Sequence, residues 1–466
     1  MEALQRLHNR GSISTGYDVD NSVKFDKGND TTTVEFFERN VSSSGSRTTG
    51  TFSAWIKKTD VSTAQYLFTF GNVDNDDGRT FARFQTDGTL RVGGGNTVWR
   101  NTDRKFMDGA AWYHIVVAFD TTQSTANDRI KVYINGIQET DFSTTNNPSE
   151  DGTLGLNFGK QAIGYNTVDN NSGFNGYMAE VVIQDGVASA PTEFGEFDSD
   201  TGIWIPIDAS GATMGTNGTY LKFENAASMG AATAGNAFTV QNINQNDQAT
   251  DTPTNNFCTL NPLMANAGSS NYLTLRQGGT KAENEAAAYK IANSTFGVTS
   301  GKWYWEVKAT DVNGVTAIGV TMPYFWDADY TLQGCIYYAQ TGQRYNNASA
   351  SSFGNTYTDG DIISFALDMD ATPPTMTVYK NNSSEGNLMS GLSINGAGGA
   401  FLPPKEEGYF PKIVGYNTNT FECNFGGYTS FTISSAASDA NGYGTFEYAP
   451  PSGYYSLCTK NLAEYG

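Results

Sequence analysis

Imidazole is the side chain most often used to move protons near neutral pH, and this chain of 466 residues has two, His8 and His114. His8 sits in a polar opening stretch. His114 lies inside the run Trp112-Tyr-His-Ile-Val-Val-Ala-Phe119, beside two aromatics. A Ser-His-Asp triad or a histidine metal site needs partners converging on the ring, and neither position offers such a set. His114 therefore reads as a packed or edge residue. Glycoside hydrolysis needs two carboxylates facing one bond, commonly from alternate positions of one strand. No run here carries a Glu-x-Asp-x-x-Glu arrangement, and Glu193 and Glu196 follow Pro191 in a short helical turn with the wrong spacing. The expectation is a protein that is not an enzyme.

Two other groups of residues could bind rather than react. The loop Asp74-Asn-Asp-Asp77 is acidic, and calcium wants several carboxylate and carbonyl oxygens converging at about 2.3–2.6 Å. Asp74, Asp76 and Asp77 are its candidate ligands, with a bare acidic hairpin loop as the alternative; no cofactor is required. The loop from Asn166 to Asn175 is a second candidate rim. Further along, Tyr324, Phe325, Trp326 and Tyr330 fall in a loop-like stretch, followed by Tyr337, Tyr338 and Tyr345. Loop aromatics supply rigid apolar area and stack on sugar faces. Tyr324, Trp326, Tyr330, Tyr338 and Tyr345 are the candidate ligand contacts, unless they cover the ends of a core.

The elements that must hold these loops are strands. Glycine is abundant at 51 residues, aromatics reach 13% and charged residues only 16%, which suits short strands joined by polar turns. The 28 Phe and 25 Tyr argue against a disordered chain. The net charge of −20 disfavours nucleic acid and anionic membrane surfaces as partners. Cys258, Cys335, Cys423 and Cys458 fit no zinc spacing and read as buried thiols, with a disulfide as the alternative. The opening stretch lacks the apolar core of a secretory signal, and no run approaches a transmembrane helix. Synthesis in a cytoplasm without a signal peptide, and no membrane insertion, are expected.

Alternating runs recur at regular spacing: Ser22–Phe25, Thr51-Phe-Ser-Ala-Trp-Ile56, Tyr66–Phe70, Thr80–Phe84, Trp112–Phe119, and Arg129-Ile-Lys-Val-Tyr-Ile134 closed by Asn135-Gly136. Period-two runs broken by Asp-Gly and Asn-Gly predict antiparallel hairpins and a sandwich or barrel. With Ala162-Ile-Gly164 and Phe174-Asn-Gly-Tyr-Met-Ala-Glu-Val-Val-Ile183, in which Gly176 and Glu180 fit the late glycine-led strand, residues 21–208 resemble the laminin-G-like branch of the concanavalin A-like jelly rolls. The resemblance implies carbohydrate or protein binding, often aided by calcium.

A second series begins with Gly301-Lys-Trp-Tyr-Trp-Glu-Val-Lys308. It continues through Ala317-Ile-Gly-Val320, Gly360-Asp-Ile-Ile-Ser-Phe-Ala-Leu-Asp368 and Met376-Thr-Val-Tyr-Lys-Asn381. Phe410-Pro-Lys-Ile-Val414 and Thr420-Phe-Glu-Cys-Asn-Phe-Gly426 close it. In this order, residues 271–430 resemble the SPRY fold, which implies a protein-interaction module. Residues 209–270 read as a connector, irregular apart from Tyr220–Phe223, which is expected to add an edge strand to a neighbour. Residues 431–466 are expected to pack as a tail on the second sandwich. Residues 1–20 form a lead that is either disordered or a peg for docking. The fold expectation is all-β: two antiparallel β-sandwiches in tandem, laminin-G-like then SPRY-like.

This order of domains in a signal-less chain resembles virion fibre or surface proteins of tailed marine bacteriophages. The leads His8-Asn-Arg-Gly-Ser-Ile-Ser-Thr-Gly-Tyr-Asp18 and Asp251–Pro262, and the end Pro450-Pro-Ser-Gly-Tyr, share in the resemblance. It implies a protein on the virion exterior, anchored to other virion proteins through the lead, homo-oligomeric, and reading a host-surface glycan or envelope protein. A purely structural virion subunit and a polysaccharide hydrolase are the alternatives.

Overall fold

The computed structural model describes residues 16–28, 33–43, 45–72, 75, 78–166, 168, 172–265, 271–322, 334–346, 349–392, 402 and 404–466. The chain divides into two compact units, Met1–Thr254 and Asn255–Gly466.

In the first unit, nearly every run rich in β-branched and aromatic residues forms a strand. The early strands are β1 (Ser22–Phe25), β2 (Phe36–Asn40), β3 (Thr49–Lys58), β4 (Gln65–Gly71), β5 (Arg79–Phe84), β6 (Thr89–Gly94) and β7 (Thr97–Lys105). Then come β8 (Trp112–Asp120), β9 (Ile130–Ile134), β10 (Ile137–Gln138), β11 (Phe142–Thr145), β12 (Lys160–Ile163) and β13 (Gly176–Asp185). Asn135 and Gly136, both at positive φ (48° and 79°), turn β9 into β10, as an Asn-Gly pair predicts. Among the described residues one sheet runs β10-β9-β8-β3-β13-β1, and the opposing sheet runs β11-β7-β6-β5-β4-β12-β2. Phe52, Ile56, Leu67, Phe68, Phe84 and Phe119 belong to the core between them.

Residues 209–270, expected as a connector, are divided between the two units. The strands β14 (Gly195–Phe197) and β15 (Trp204–Pro206) precede this stretch. Within it lie β16 (Thr219–Leu221), β17 (Ala234–Gly235), β18 (Thr239–Gln241) and β19 (Gln248–Ala249). β16 pairs with β13, β18 with β2, and β19 with β1. Phe223, Met229, Phe238 and Ile243 enter the main core. Few apolar residues are spread over this stretch, so no long run shows period two, yet these four fill core positions. Its two aspartates, Asp247 and Asp251, are also buried: Lys57 Nζ meets Asp251 Oδ2 at 2.7 Å, and Trp112 Nε1 donates to Asp251 Oδ1 at 3.1 Å. A lysine on a strand normally faces water; here the returning chain supplies the counter-charge.

The second unit is built of β20 (Thr274–Arg276), β21 (Lys281–Asn293), β22 (Lys302–Val312), β23 (Thr316–Thr321), β24 (Cys335–Tyr338), β25 (Gln343–Asn346) and β26 (Ser349–Ser352). They are followed by β27 (Ile362–Asp368), β28 (Thr375–Lys380), β29 (Ser383–Asn387), β30 (Phe410–Asn424) and β31 (Tyr455–Ser456). The long β30 passes from one half of the sandwich to the other. Its first residues pair with β23 and its last with β22, while β21 follows it throughout. Trp303, Trp305, Phe365, Ile413 and Phe421 fill the core. The 431–466 tail lies on this sandwich: Phe446 packs edge-on against Tyr304, and β31 pairs parallel with β22. Buried Glu306 accepts the backbone N–H groups of Glu447 and Tyr448 at 2.9 and 2.8 Å. The four cysteines are buried thiols.

Candidate functional site

Of the residues singled out by sequence, Asp74, Asp76 and Asp77 lie outside the described residues, as do Tyr324, Trp326 and Tyr330. The Asn75 carbonyl accepts the N–H groups of Gly78 and Arg79 at 3.0 and 2.8 Å. Among the described residues no group of three or more His, Cys, Asp or Glu is placed to hold a metal ion.

Tyr338 and Tyr345 are described, and they belong together. Strand register sets them on one face: Ala317 pairs with Tyr338, Ile336 with Tyr345, and Val414 with both Ala317 and Ile291. Side chains alternate across a strand, so this face is opposite to the one that carries Ile318, Tyr337 and Ile413 into the core. Ile291, Ala317, Ile336 and Val414 make a buried aliphatic floor. Tyr338 and Tyr345 stand on it edge to face at 5.6 Å. Tyr289, 40% exposed, lies within electrostatic reach of Tyr338 and packs on Tyr416 at 4.8 Å. Together the four tyrosines form a stripe across β25, β24, β21 and β30. Burial first, then the neighbouring phenols, pushes the Tyr338 hydroxyl above its ordinary range, so it remains a neutral donor and acceptor. Such a stripe offers ring faces to sugar C–H groups or apolar side chains, and phenols to polar ones.

Tyr289 and Tyr416 escaped the sequence reading. Tyr289 follows the weak strand signal Glu285-Ala-Ala-Ala-Tyr289, where a register shift between Ala286 and Lys290 breaks the alternation. Tyr416 lies beyond the Phe410–Val414 run; the signal available was its place two residues after Val414, on the same face.

Two of the buried polar clusters in the first unit are built around His114 and Glu180. His114 is stacked on Trp55 and on Trp204, with ring centroids at 4.9 and 5.9 Å. Its Nδ1 accepts from Trp204 Nε1 at 2.9 Å and its Nε2 meets Ser53 Oγ at 2.8 Å. An indole N–H only donates, so Nδ1 carries no proton and Nε2–H donates to Ser53. In that tautomer the imidazole cannot take a proton from the serine, and burial pushes its pKa down to about 3. The pair is a packing element.

Glu180 sits at φ 51° where β13 shifts register between Ala179 and Val182. Its Oε2 accepts from Tyr220, and from Tyr17 at 3.2 Å. Burial pushes its carboxyl up to about 7, against the lowering effect of the Tyr220 bond and of Lys222. Lys222 in turn pairs with Asp208 at 3.1 Å.

Compared with known proteins, residues 17–192 match the laminin-G type of the concanavalin A-like lectin/glucanases superfamily. Residues 302–428 match the SPRY domain. Among solved structures the chain is similar to the SPRY domain of human HERC1, at 20% identity over 31% of this chain and 87% of that one, TM-score 0.25. It is also similar to another human SPRY domain, at 18% identity over 31% of this chain and 91% of that one, TM-score 0.24. A third is the native heptameric SAP-like pentraxin from Limulus polyphemus, at 15% identity over 37% and 80% of the two chains, TM-score 0.28. No curated protein matches the chain. The chain therefore carries a concanavalin A-like domain of the laminin-G type followed by a SPRY domain, two antiparallel β-sandwiches in tandem.

Proposed function

We propose that this protein is a recognition protein of a phage virion surface, a tail fibre or capsid-attached fibre that reads a host-surface glycan or envelope protein. The observation that carries the reading is the stripe of Tyr289, Tyr338, Tyr345 and Tyr416 on the second sandwich. Four aromatic rings, two of them standing on an aliphatic floor, make a contact surface without reactive groups. The tandem of binding-type folds supports the same reading, and the resemblance of the leads to phage virion proteins supplies the setting. In this reading the chain is not an enzyme, works as a homo-oligomer on the exterior of the particle and is anchored to other virion proteins through residues 1–20. Calcium at the 74–77 loop is an accessory.

The test uses the full chain on a glycan array and on envelope extracts of marine bacteria, beside Tyr289→Ala and Tyr338→Ala. Loss of one aromatic contact of about 1.5 kcal/mol weakens binding roughly tenfold. Equal binding by parent and variants sinks the role of the stripe. No binding to either probe, with the chain located between other subunits of an intact particle, favours a structural subunit. Release of new reducing ends from the polysaccharides would identify a hydrolase, and chelation with EDTA reads the part played by calcium.

A further inference from the structure

Three ionisable side chains meet inside the first unit. Lys24, on β1, is fully buried, and its Nζ lies 2.7 and 2.8 Å from the two carboxylate oxygens of Glu35. The same Nζ lies 2.8 Å from Asp247 Oδ1, and the Lys24, Glu35 and Asp247 side chains are 0%, 9% and 4% exposed. Strand pairing brings them together: Ser22 pairs with Ala249 and Val23 with Gln248, so the next rung sets Lys24 opposite Asp247. Glu35 is held by backbone contacts to Asp26, whose N–H donates to Glu35 Oε2 at 2.6 Å and whose carbonyl accepts Glu35 N–H at 3.0 Å.

One ammonium against two carboxylates leaves a net charge in a dry site, which is costly. Burial, with Asp247 and Asp26 adding to it, pushes the Glu35 carboxyl up to about 7 against the pull of Lys24, so near neutral pH it both takes and gives a proton. Asp247 is equally well prepared. Its Oδ2 accepts from Asn244 N–H at 2.8 Å and from Asn244 Nδ2 at 2.9 Å. The backbone bond belongs to a capping box, and two donors on one oxygen with an amine at the other are the groups that an acyl transfer through an oxyanion hole uses.

We propose that Lys24 and Asp247 condense into an intramolecular isopeptide bond, with Glu35 relaying protons and Asn244 holding the carbonyl oxygen. The ammonium gives a proton to Glu35, and the freed Nζ attacks Asp247 Cγ, forming the C–N bond. Negative charge collects on Oδ2 between the two Asn244 donors. Nζ gives up a second proton, and both protons pass through Glu35 to Oδ1. The Cγ–Oδ1 bond then breaks and Oδ1 leaves as water. Nζ keeps one hydrogen, the product is a neutral amide, and Glu35 ends as it began. Fixed proximity supplies the driving advantage, since oriented intramolecular partners behave as if at very high concentration.

The test is the intact mass of the purified full chain under denaturing conditions. The expected mass is lower than that of the sequence by one water, about 18 Da, and protease digestion yields a branched peptide joining Lys24 to Asp247. Lys24→Arg, Asp247→Ala and Glu35→Ala restore the full mass. Asp247→Asn keeps the shape of the site and crosslinks with loss of ammonia, about 17 Da, which separates chemistry from misfolding. An unmodified mass in parent chain that unfolds cooperatively overturns the proposal. So does a branched peptide at another pair, such as Lys57 and Asp251. Full crosslinking in Glu35→Ala overturns the relay.

Discussion

Glu180→Gln isolates the cost of an acid placed at a bulge inside a sheet. In the unfolded chain this carboxyl ionises near its ordinary 4.5, and in the folded unit near 7. Below pH 4.5 both states hold the proton and the contribution of the group is fully present. Between 4.5 and 7 the unfolded state ionises while the folded state does not, so stability falls as pH rises, and above 7 the loss is complete. At about 1.4 kcal/mol per tenfold change in proton affinity, the interval from 4.5 to about 7 corresponds to about 3 kcal/mol. Glutamine keeps an oxygen for the hydroxyls of Tyr220 and Tyr17 but cannot ionise. At pH 9 the variant is therefore expected to be more stable than the parent by about 1–3 kcal/mol. For a unit of this size that raises the melting temperature by about 3–10 °C; at pH 4 the advantage vanishes. The assay is thermal unfolding followed by tryptophan fluorescence between pH 4 and 9. Glu35 also titrates near 7, so the variant keeps part of the slope and Glu180→Gln/Glu35→Gln flattens it further. Parallel parent and variant curves, or a variant less stable at pH 9, refute the reasoning.

Other perturbations read other parts of the fold. Asp251→Ala removes the buried carboxylate partner of Lys57 and Trp112, and urea unfolding is expected to show a loss of about 3–5 kcal/mol, with Asp251→Asn milder. Phe446→Ala empties the pocket over Tyr304 and is expected to cost the second unit about 3–5 kcal/mol, read as a shift in its denaturation midpoint. Tyr289→Ala, at a site 40% exposed, is expected to leave stability within about 1 kcal/mol while it weakens recognition. The four buried thiols are expected to react with a thiol reagent only on unfolding; fast labelling of native chain would contradict their burial.

Hairpin chemistry and period two were enough to read most of the strand order. Asn135-Gly136 turned where an Asn-Gly pair should, and Trp112–Phe119 and Lys302–Val312 became strands. Less was legible wherever charge is buried. A lysine on a strand normally faces water, yet the counter-ions of buried Lys24 and Lys57, Asp247 and Asp251, arrive from about two hundred residues later, in a stretch whose composition reads as loose. Local pattern carries no information about a partner that distant. The same holds for the tyrosine stripe. Tyr338 and Tyr345 could be singled out as aromatics, but Tyr289 and Tyr416 join them only through the register of β21 on β30, which a bulge sets.

In the first unit Ser22 opens β1 opposite Ala249 at the end of β19, and Val19 N–H bonds Thr254 Oγ1 at 3.0 Å. The chain thus enters and leaves the unit side by side. A unit with adjacent ends behaves as a cassette: it can be spliced into a loop of a foreign protein, or joined end to end and reopened at Asn135-Gly136, without stretching the fold. The same placement sets its response to load. Tension across the two ends peels β19 from β1 rung by rung, the direction in which a sheet yields most easily. With Lys24 joined to Asp247, that peeling would halt at the third rung, and the remainder of the sandwich would never feel the pull.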